Sequence, residues 1–181
     1  VSIEENVPHG EPQHWFALYT KPRQEFKAEQ QLKSCGIQVY LPKITKVKQW
    51  SDRKKKVTEP LMNSYIFIYA TEKERLLSVE LDAIVRTVFY CGRPAKIPKD
   101  QMENFIRFIK EEEDYFVVNG IVKGSHVLIK EGPFAGVKGV VIDEHDGKTL
   151  SVSIELLNRT VVARLHKGTI LQTVGVHEIS N

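Results

Sequence analysis

The stretch from Gly124 to Gly139, GSHVLIKEGPFAGVKG, constrains the fold of this chain more than any other. Val127 and Ile129 stand two residues apart, as on one face of a strand. A Gly-Pro-Phe-x-Gly turn follows, and a second strand opens at Gly139. Gly132 and Gly136 give the backbone its freedom on either side of the bend that Pro133 fixes. Phe134 is the one large apolar residue inside the turn, and it is expected to fold the turn onto a small barrel.

The rest of the C-terminal third agrees with that reading. From Ile121 onward the strands are short and rich in Val and Ile. Turn signals recur at 132–136, at 146–147 and at Asn158, a spacing that predicts a five-stranded antiparallel barrel over 121–174. Residues 175–181 form a tail. The segment Tyr115–Gly120 has no helical period and follows the acidic run Glu111–Asp114, so a linker is expected at 114–120.

Residues 15–113 read differently. Trp15–Tyr19 is an aromatic-rich apolar run suited to a buried strand. Thr20 is the expected N-cap of a helix with Pro22 in its first turn and Phe26, Ala28, Leu32 and Cys35 on its apolar face, stopped by Gly36. Val39–Pro42 predicts a strand. Lys43–Glu59 predicts a basic hairpin with Ser51-Asp52-Arg53 at its tip. Tyr65–Tyr69 is the densest run of β-formers in the chain and predicts a central strand. A short helix over 73–81, a strand over 85–90 closed by a Gly92-Arg93-Pro94 turn, and a helix over 98–113 with Met102, Phe105, Ile106 and Ile109 in a stripe complete the domain. The fold class is therefore α+β: an N-terminal α/β sandwich built on an antiparallel sheet, then a small β-barrel.

Composition narrows the function. Residues 1–14 are polar and acidic, with Pro8 and Pro12, and read as a disordered leader without the apolar core of a signal peptide. No apolar run approaches the roughly 18 residues of a membrane span. Cys35 and Cys91 are too few and too far apart for a disulfide framework, so a cytoplasmic, reducing compartment is expected. The formal net charge is only +3, yet residues 15–60 carry eleven Lys or Arg against four carboxylates, a local excess of seven. That quarter of the chain is either a solvated basic face or the site of a polyanion.

Two sets of words, in fixed order, carry a resemblance. Trp15-Phe16-Ala17-Leu18-Tyr19-Thr20, Tyr40-Leu41-Pro42, Glu59-Pro60-Leu61, Ser64 to Ile68 and Gly92-Arg93-Pro94-Ala95 resemble the N-terminal domain of the NusG family. Gly124 to about Leu171 resembles that family's KOW domain, an SH3-like barrel. The family often writes Pro-Gly-Tyr where this chain has Asn63-Ser64-Tyr65, and general members place an aromatic where this chain has Glu155 to Arg159. Both departures resemble the specialised RfaH-like and UpxY-like branch.

The resemblance implies a transcription elongation factor that binds RNA polymerase and suppresses pausing and termination, with no cofactor. It implies that Tyr65, Phe67 and Tyr69, extended by Val88 and Phe89, dock onto the clamp helices of the polymerase's largest subunit. These three aromatics share one strand face, which otherwise packs beneath helices. The resemblance implies contacts of Lys21, Arg23, Gln24 and Lys27 with the displaced non-template DNA strand. Arg23 and Lys27 lie four apart, on one helix face, where ordinary surface charge is the alternative. Lys54 and Lys55 on the hairpin suit either a solvated edge or upstream DNA. Leu156, Leu157, Asn158 and Arg159 occupy the loop where family members bind ribosomal protein S-ten or Rho, though Leu157 also reads as core. Gly132, Pro133, Phe134, Gly136 and Gly139 are expected to be structural. The C-terminal segment is expected to be β and to leave the aromatic face open, because Val152, Ile154, Thr160, Val161 and Val162 are β-branched.

Nothing in the sequence reads as catalytic. The six histidines show no HxxxH or HExxH spacing, no GxSxG, Walker A or GxGxxG is present, and no metal cluster is expected. The alternative is a ribosome-associated or RNA-binding KOW protein, for which a C-terminal half with an excess of one positive charge is poorly suited.

Overall fold

The computed structural model describes residues 10–109, 115–144, 147–165 and 169–174. The chain opens with β1 (His14–Thr20), α1 (Glu25–Ser34), β2 (Gln38–Tyr40) and a hairpin of β3 (Lys43–Gln49) and β4 (Lys54–Pro60). There follow β5 (Tyr65–Ala70), α2 (Glu72–Ser78), β6 (Ile84–Thr87), β7 (Phe89–Tyr90), β8 (Arg93–Pro94), β9 (Lys96–Ile97) and α3 (Lys99–Phe108). The C-terminal half comprises β10 (Tyr115–Asn119), β11 (Ser125–Ile129), β12 (Lys138–Glu144), β13 (Gly147–Ile154), β14 (Arg159–Arg164) and β15 (Leu171–Thr173).

The N-terminal sheet runs β2-β5-β1-β6, with β9 also on β1, and every pairing is antiparallel. Its central strands are apolar on both faces, so both must be covered. Phe16 and Leu18 lie opposite Ile68 and Ile66, and this face packs under α1 through Ala28 and Leu32. It also meets α2, whose Arg75 guanidinium sits 5.7 Å from the Phe16 ring. Thr71 and Glu74 form a reciprocal capping box that fixes the start of α2. On the other face Trp15, Ala17 and Phe67 meet Met102 and Phe105 of α3.

Three local expectations are corrected. Thr20 does not cap α1: it ends β1, Arg23 turns the chain at φ 63°, and α1 starts only at Glu25. Phe26 and Cys35 are exposed, while Glu25 and Glu29 join Ala28 and Leu32 on the buried side. Glu25 is buried because its carboxylate accepts the Ser64 N–H at 2.8 Å, and Glu29 because Lys33 and Lys43 pair with it. Those two lysines hold the Glu29 carboxyl below the usual range against the opposing effect of burial. Finally, Arg93-Pro94 is a short strand on β7 and not part of a turn.

The C-terminal half is a six-stranded antiparallel sheet in the order β10-β14-β13-β12-β11-β15. This corrects the five-stranded barrel: among the described residues no pairing closes β15 onto β10. The extra strand is β10, formed by residues expected to be linker; Phe116 and Val118 pair with Val162 and Thr160 of β14. The Gly-Pro-Phe-x-Gly turn behaves as expected, with Phe134 buried. Gly139 is required by a close approach, since a Cβ there would lie 2.7 Å from both Leu150 Cδ1 and the Ser151 carbonyl oxygen. Most of the leader, the start of the linker and the tail at 175–181 lie outside the described residues.

The two halves share one core through α3. Phe108 packs on Tyr115 and Phe134, with both ring-centroid distances 5.3 Å. Asn104 bonds the Lys138 backbone in both directions, donating to its carbonyl at 2.7 Å and accepting from its N–H at 2.8 Å. Arg107 donates to the Gly136 carbonyl at 3.0 Å, and its side chain runs 3.6 Å from where a Gly136 Cβ would stand.

Candidate functional site

The aromatic face comes first. β5 places Tyr65, Phe67 and Tyr69 on the side facing α3, and the register sets Tyr65 beside Tyr19 and Tyr69 beside Trp15. The Tyr19 and Tyr65 hydroxyls are 2.8 Å apart. Burial, with the Tyr19 hydrogen bond second, pushes the Tyr65 hydroxyl up to about 12. Phe67 is fully buried beneath Phe105, 6.0 Å between ring centroids, and Tyr40. Tyr40 is partly buried, and its hydroxyl is pushed up by that burial and by Tyr115 of the C-terminal half.

The expectation that this face stays open is therefore corrected. Tyr65 is 7% exposed, Phe67 0% and Val88 6%, while Tyr69 is half-buried. Phe89, of the same expected set, is 52% exposed, as β7 carries it off the sheet. The physical reason is a cover of two parts: Phe105 of α3 and Tyr40 lie on Phe67, and from the C-terminal half the Arg159 guanidinium sits 5.9 Å from the Tyr65 ring. On the other side Arg86 stacks 4.6 Å from Tyr19. Two tyrosines joined through their hydroxyls are thus flanked by two cations, one from each half of the molecule.

The C-terminal loop is a 3-10 turn, Glu155–Leu157, ended by Asn158 at φ 50°. Leu157 is buried, so its reading as core holds, and Leu156 packs partly against the same cluster. Asn158 is exposed, and Arg159 faces Tyr65. One residue expected to meet a second partner, Arg159, therefore lies against one expected to meet polymerase, Tyr65.

The basic residues fall into two neighbouring groups. Lys21 and Lys27 both bond Asp82, Lys21 at 3.0 Å. These two hydrogen bonds hold the Asp82 carboxyl down at about 2. Sequence reasoning missed Asp82, which is more than fifty residues from either lysine and neutralises half of their combined charge. Arg23 is exposed and carries no carboxylate partner among the described residues. The Gln24 side-chain oxygen is buried without a hydrogen-bond partner, which removes it as a surface acceptor. Arg23 and Phe26 share a cavity of about 560 Å³ with Thr58, Glu59 and Pro60, so the start of α1 and the root of the hairpin line one groove.

Lys54 and Lys55 lie at the far end of that hairpin, exposed. Lys55 sits 5.2 Å from the ring of Trp50, a residue that sequence reasoning did not select. A large aromatic in a polar hairpin tip was the available signal.

Among the described residues no group of three His, Cys, Asp or Glu is placed to hold a metal ion. No described helix is long and apolar enough to cross a membrane.

Comparison with known proteins gives the following. In solved structures, 90% of this chain aligns with 98% of Thermotoga maritima NusG, from work on its domain interaction, at 19% identity and a TM-score of 0.50. The MjSpt4:Spt5 complex aligns at 16% identity over 89% of this chain and 99% of that chain, with a TM-score of 0.31. The first likeness concerns the fold alone. In sequence, residues 13–106 match the family described as transcription termination factor nusG. That match runs from the edge of β1 into α3 and takes in the aromatic face, the basic start of α1 and the hairpin, and on it the chain belongs to the NusG family.

Proposed function

We propose that this chain is a transcription elongation factor of the specialised RfaH-like and UpxY-like branch, acting by binding and not by catalysis. Its N-terminal half engages the clamp helices of the largest polymerase subunit, and the Lys21, Arg23 and Lys27 face meets the non-template strand. Its KOW-like half recruits a second partner, ribosomal protein S-ten or Rho. Bound polymerase is held closed, which disfavours pausing and termination, provided affinity is greater for the closed state.

The observation that carries this reading is the family match over the half that bears the aromatic face, joined to the packing of Arg159 on Tyr65. A polymerase-docking surface placed beneath the partner-recruiting loop makes the two halves exclude partners until they separate. The specialised branch is supported by Ser64, a non-glycine residue at φ 63° where the family often writes glycine.

Co-purification with RNA polymerase tests the proposal. Association is expected to rise when Asn104→Ala and Arg107→Ala loosen the contact between halves, and to fall when Tyr65→Ala is added. Failure of every variant to bind polymerase, with tight binding to ribosomal RNA instead, would sink the reading.

A further inference from the structure

The β3–β4 hairpin is the part of the molecule that packing does not explain. Its root is anchored: Ile44 is buried, and the Leu61 N–H bonds the Pro42 carbonyl at 2.8 Å. Beyond that root the two strands pair only with each other and extend about 20 Å from the fold. A lone two-stranded ribbon is marginal in water, and this one gains little from burial.

Its faces are unequal. Cross-strand partners share a face, so Lys46 with Val57, Lys48 with Lys55, and Trp50 beside Arg53 line one side. The other side carries Thr45 and Thr58, bonded to each other, then Val47 and Gln49 among lysines. Trp50 is 50% exposed at the tip, where the Trp50 N–H closes the turn on the Arg53 carbonyl at 2.8 Å. Lys48 is paired with Glu59, whose carboxylate Lys46 also influences at longer range, while Arg53 and Lys55 make no ion pair among the described residues. Between Lys43 and Pro60 the chain carries seven Lys or Arg against Asp52 and Glu59.

We propose that the face of the β3–β4 hairpin bearing Trp50, Lys46, Arg53 and Lys55 binds single-stranded nucleic acid. An unpaired base stacks on the Trp50 indole and the three cations contact the adjoining phosphates. Charge complementarity selects a polyanion. The indole selects a strand whose bases are already unstacked, because a duplex offers no free base face to a side chain at a ribbon tip. The cation over the ring, Lys55, is placed to hold a phosphate next to the stacked base. Neither the polymerase-docking face nor the start of α1 takes part, so this inference goes beyond the function proposed above.

The test uses the full chain without polymerase, so its failure and the failure of polymerase docking are separate results. Labelled oligo(dT) and oligo(U) of about 12 nucleotides, near the span of one single-strand site, are titrated by fluorescence anisotropy beside a duplex of equal length. Single strands are expected to bind more tightly than duplex, with log K falling against log salt at a slope of about −2 for three phosphate contacts. Trp50→Ala is expected to weaken binding about tenfold with its thermal midpoint unchanged, and Trp50→Phe to restore most of it. Lys55→Ala is expected to flatten the slope by about 0.7. A preference for dT or for U names the strand that is met and supports the proposal equally. Binding by Trp50→Ala within twofold of the unaltered chain overturns it. So does a duplex that binds as well as a single strand, or loss of all binding on Lys21→Ala with Lys27→Ala while Trp50→Ala has no effect.

Discussion

The N-terminal sheet and the β3–β4 hairpin are both antiparallel and both lie between His14 and Ile97, yet they meet solvent in opposite ways. β1 and β5 are apolar on both faces and are covered on both, by α1 and α2 on one side and α3 on the other. β3 and β4 are polar on both faces and, past Ile44, are covered on neither. The lesson is that β-propensity alone does not locate a core. Val47 and Val57 favour strands as well as Ile66 does, but only a strand with two apolar faces recruits layers on both sides.

The widest separation between the two regions is expected from Phe67→Ala, which empties a fully buried site among Phe105 and Tyr40 and should cost about 3–5 kcal/mol in denaturant unfolding. A loss near that of a surface residue would show that the sheet is not covered there. Asn104→Ala removes both bonds to the Lys138 backbone at the exposed margin of the α3 cover, and about 1–2 kcal/mol is expected by the same measurement.

Alkaline pH reports on the cover too. Tyr65 is held protonated in the folded state up to about 12, against an ordinary value of 10.0. Its contribution to stability is therefore complete below pH 10 and is lost as pH rises toward 12. Tyr65→Phe is expected to flatten that part of the pH–stability curve, and an unchanged curve would assign the loss to other groups.

Ser64 stands at the junction, lining the groove at the hairpin root just before β5. Its φ of 63° strains a side chain, so Ser64→Gly is expected to stabilise the fold by about 0.5–1 kcal/mol in thermal unfolding. The smallest effect belongs to the bare ribbon: Val47→Thr, at an exposed position, is expected to change stability by less than about 0.5 kcal/mol. A loss of several times that size would mean that something packs on the hairpin, and the contrast between the two regions would fail.

The elements that sequence reasoning located best have their own signal within a few residues. Tyr65–Tyr69 alternates, Gly36 ends α1 at φ 73°, and Gly132 and Gly136 turn at φ 96° and 82°. What it missed depends on residues distant in sequence. Phe26 falls on the helical stripe yet is exposed, because Glu25 and Glu29 found partners at Ser64 and Lys43 that hold them inward. Tyr115–Asn119 lacks a helical period and is expected to be linker, yet Tyr115 to Val118 are β-formers, and β14 makes the stretch a strand by pairing along its whole length. Tyr65, Phe67 and Tyr69 do share one face, but its cover is not legible in the alternation, because Phe105 and Arg159 reach it from thirty-eight and ninety-four residues away.

The placement of Phe108 has a consequence for how the molecule comes apart. Its ring completes the packing of Tyr115 and Phe134 while α3 simultaneously closes the N-terminal sheet through Phe105. A helix shared by two sheets couples the unfolding of one half to that of the other while they are docked. Heat should then reveal one calorimetric peak for the two halves, and amide exchange should protect α3, β5 and β13 to a similar degree.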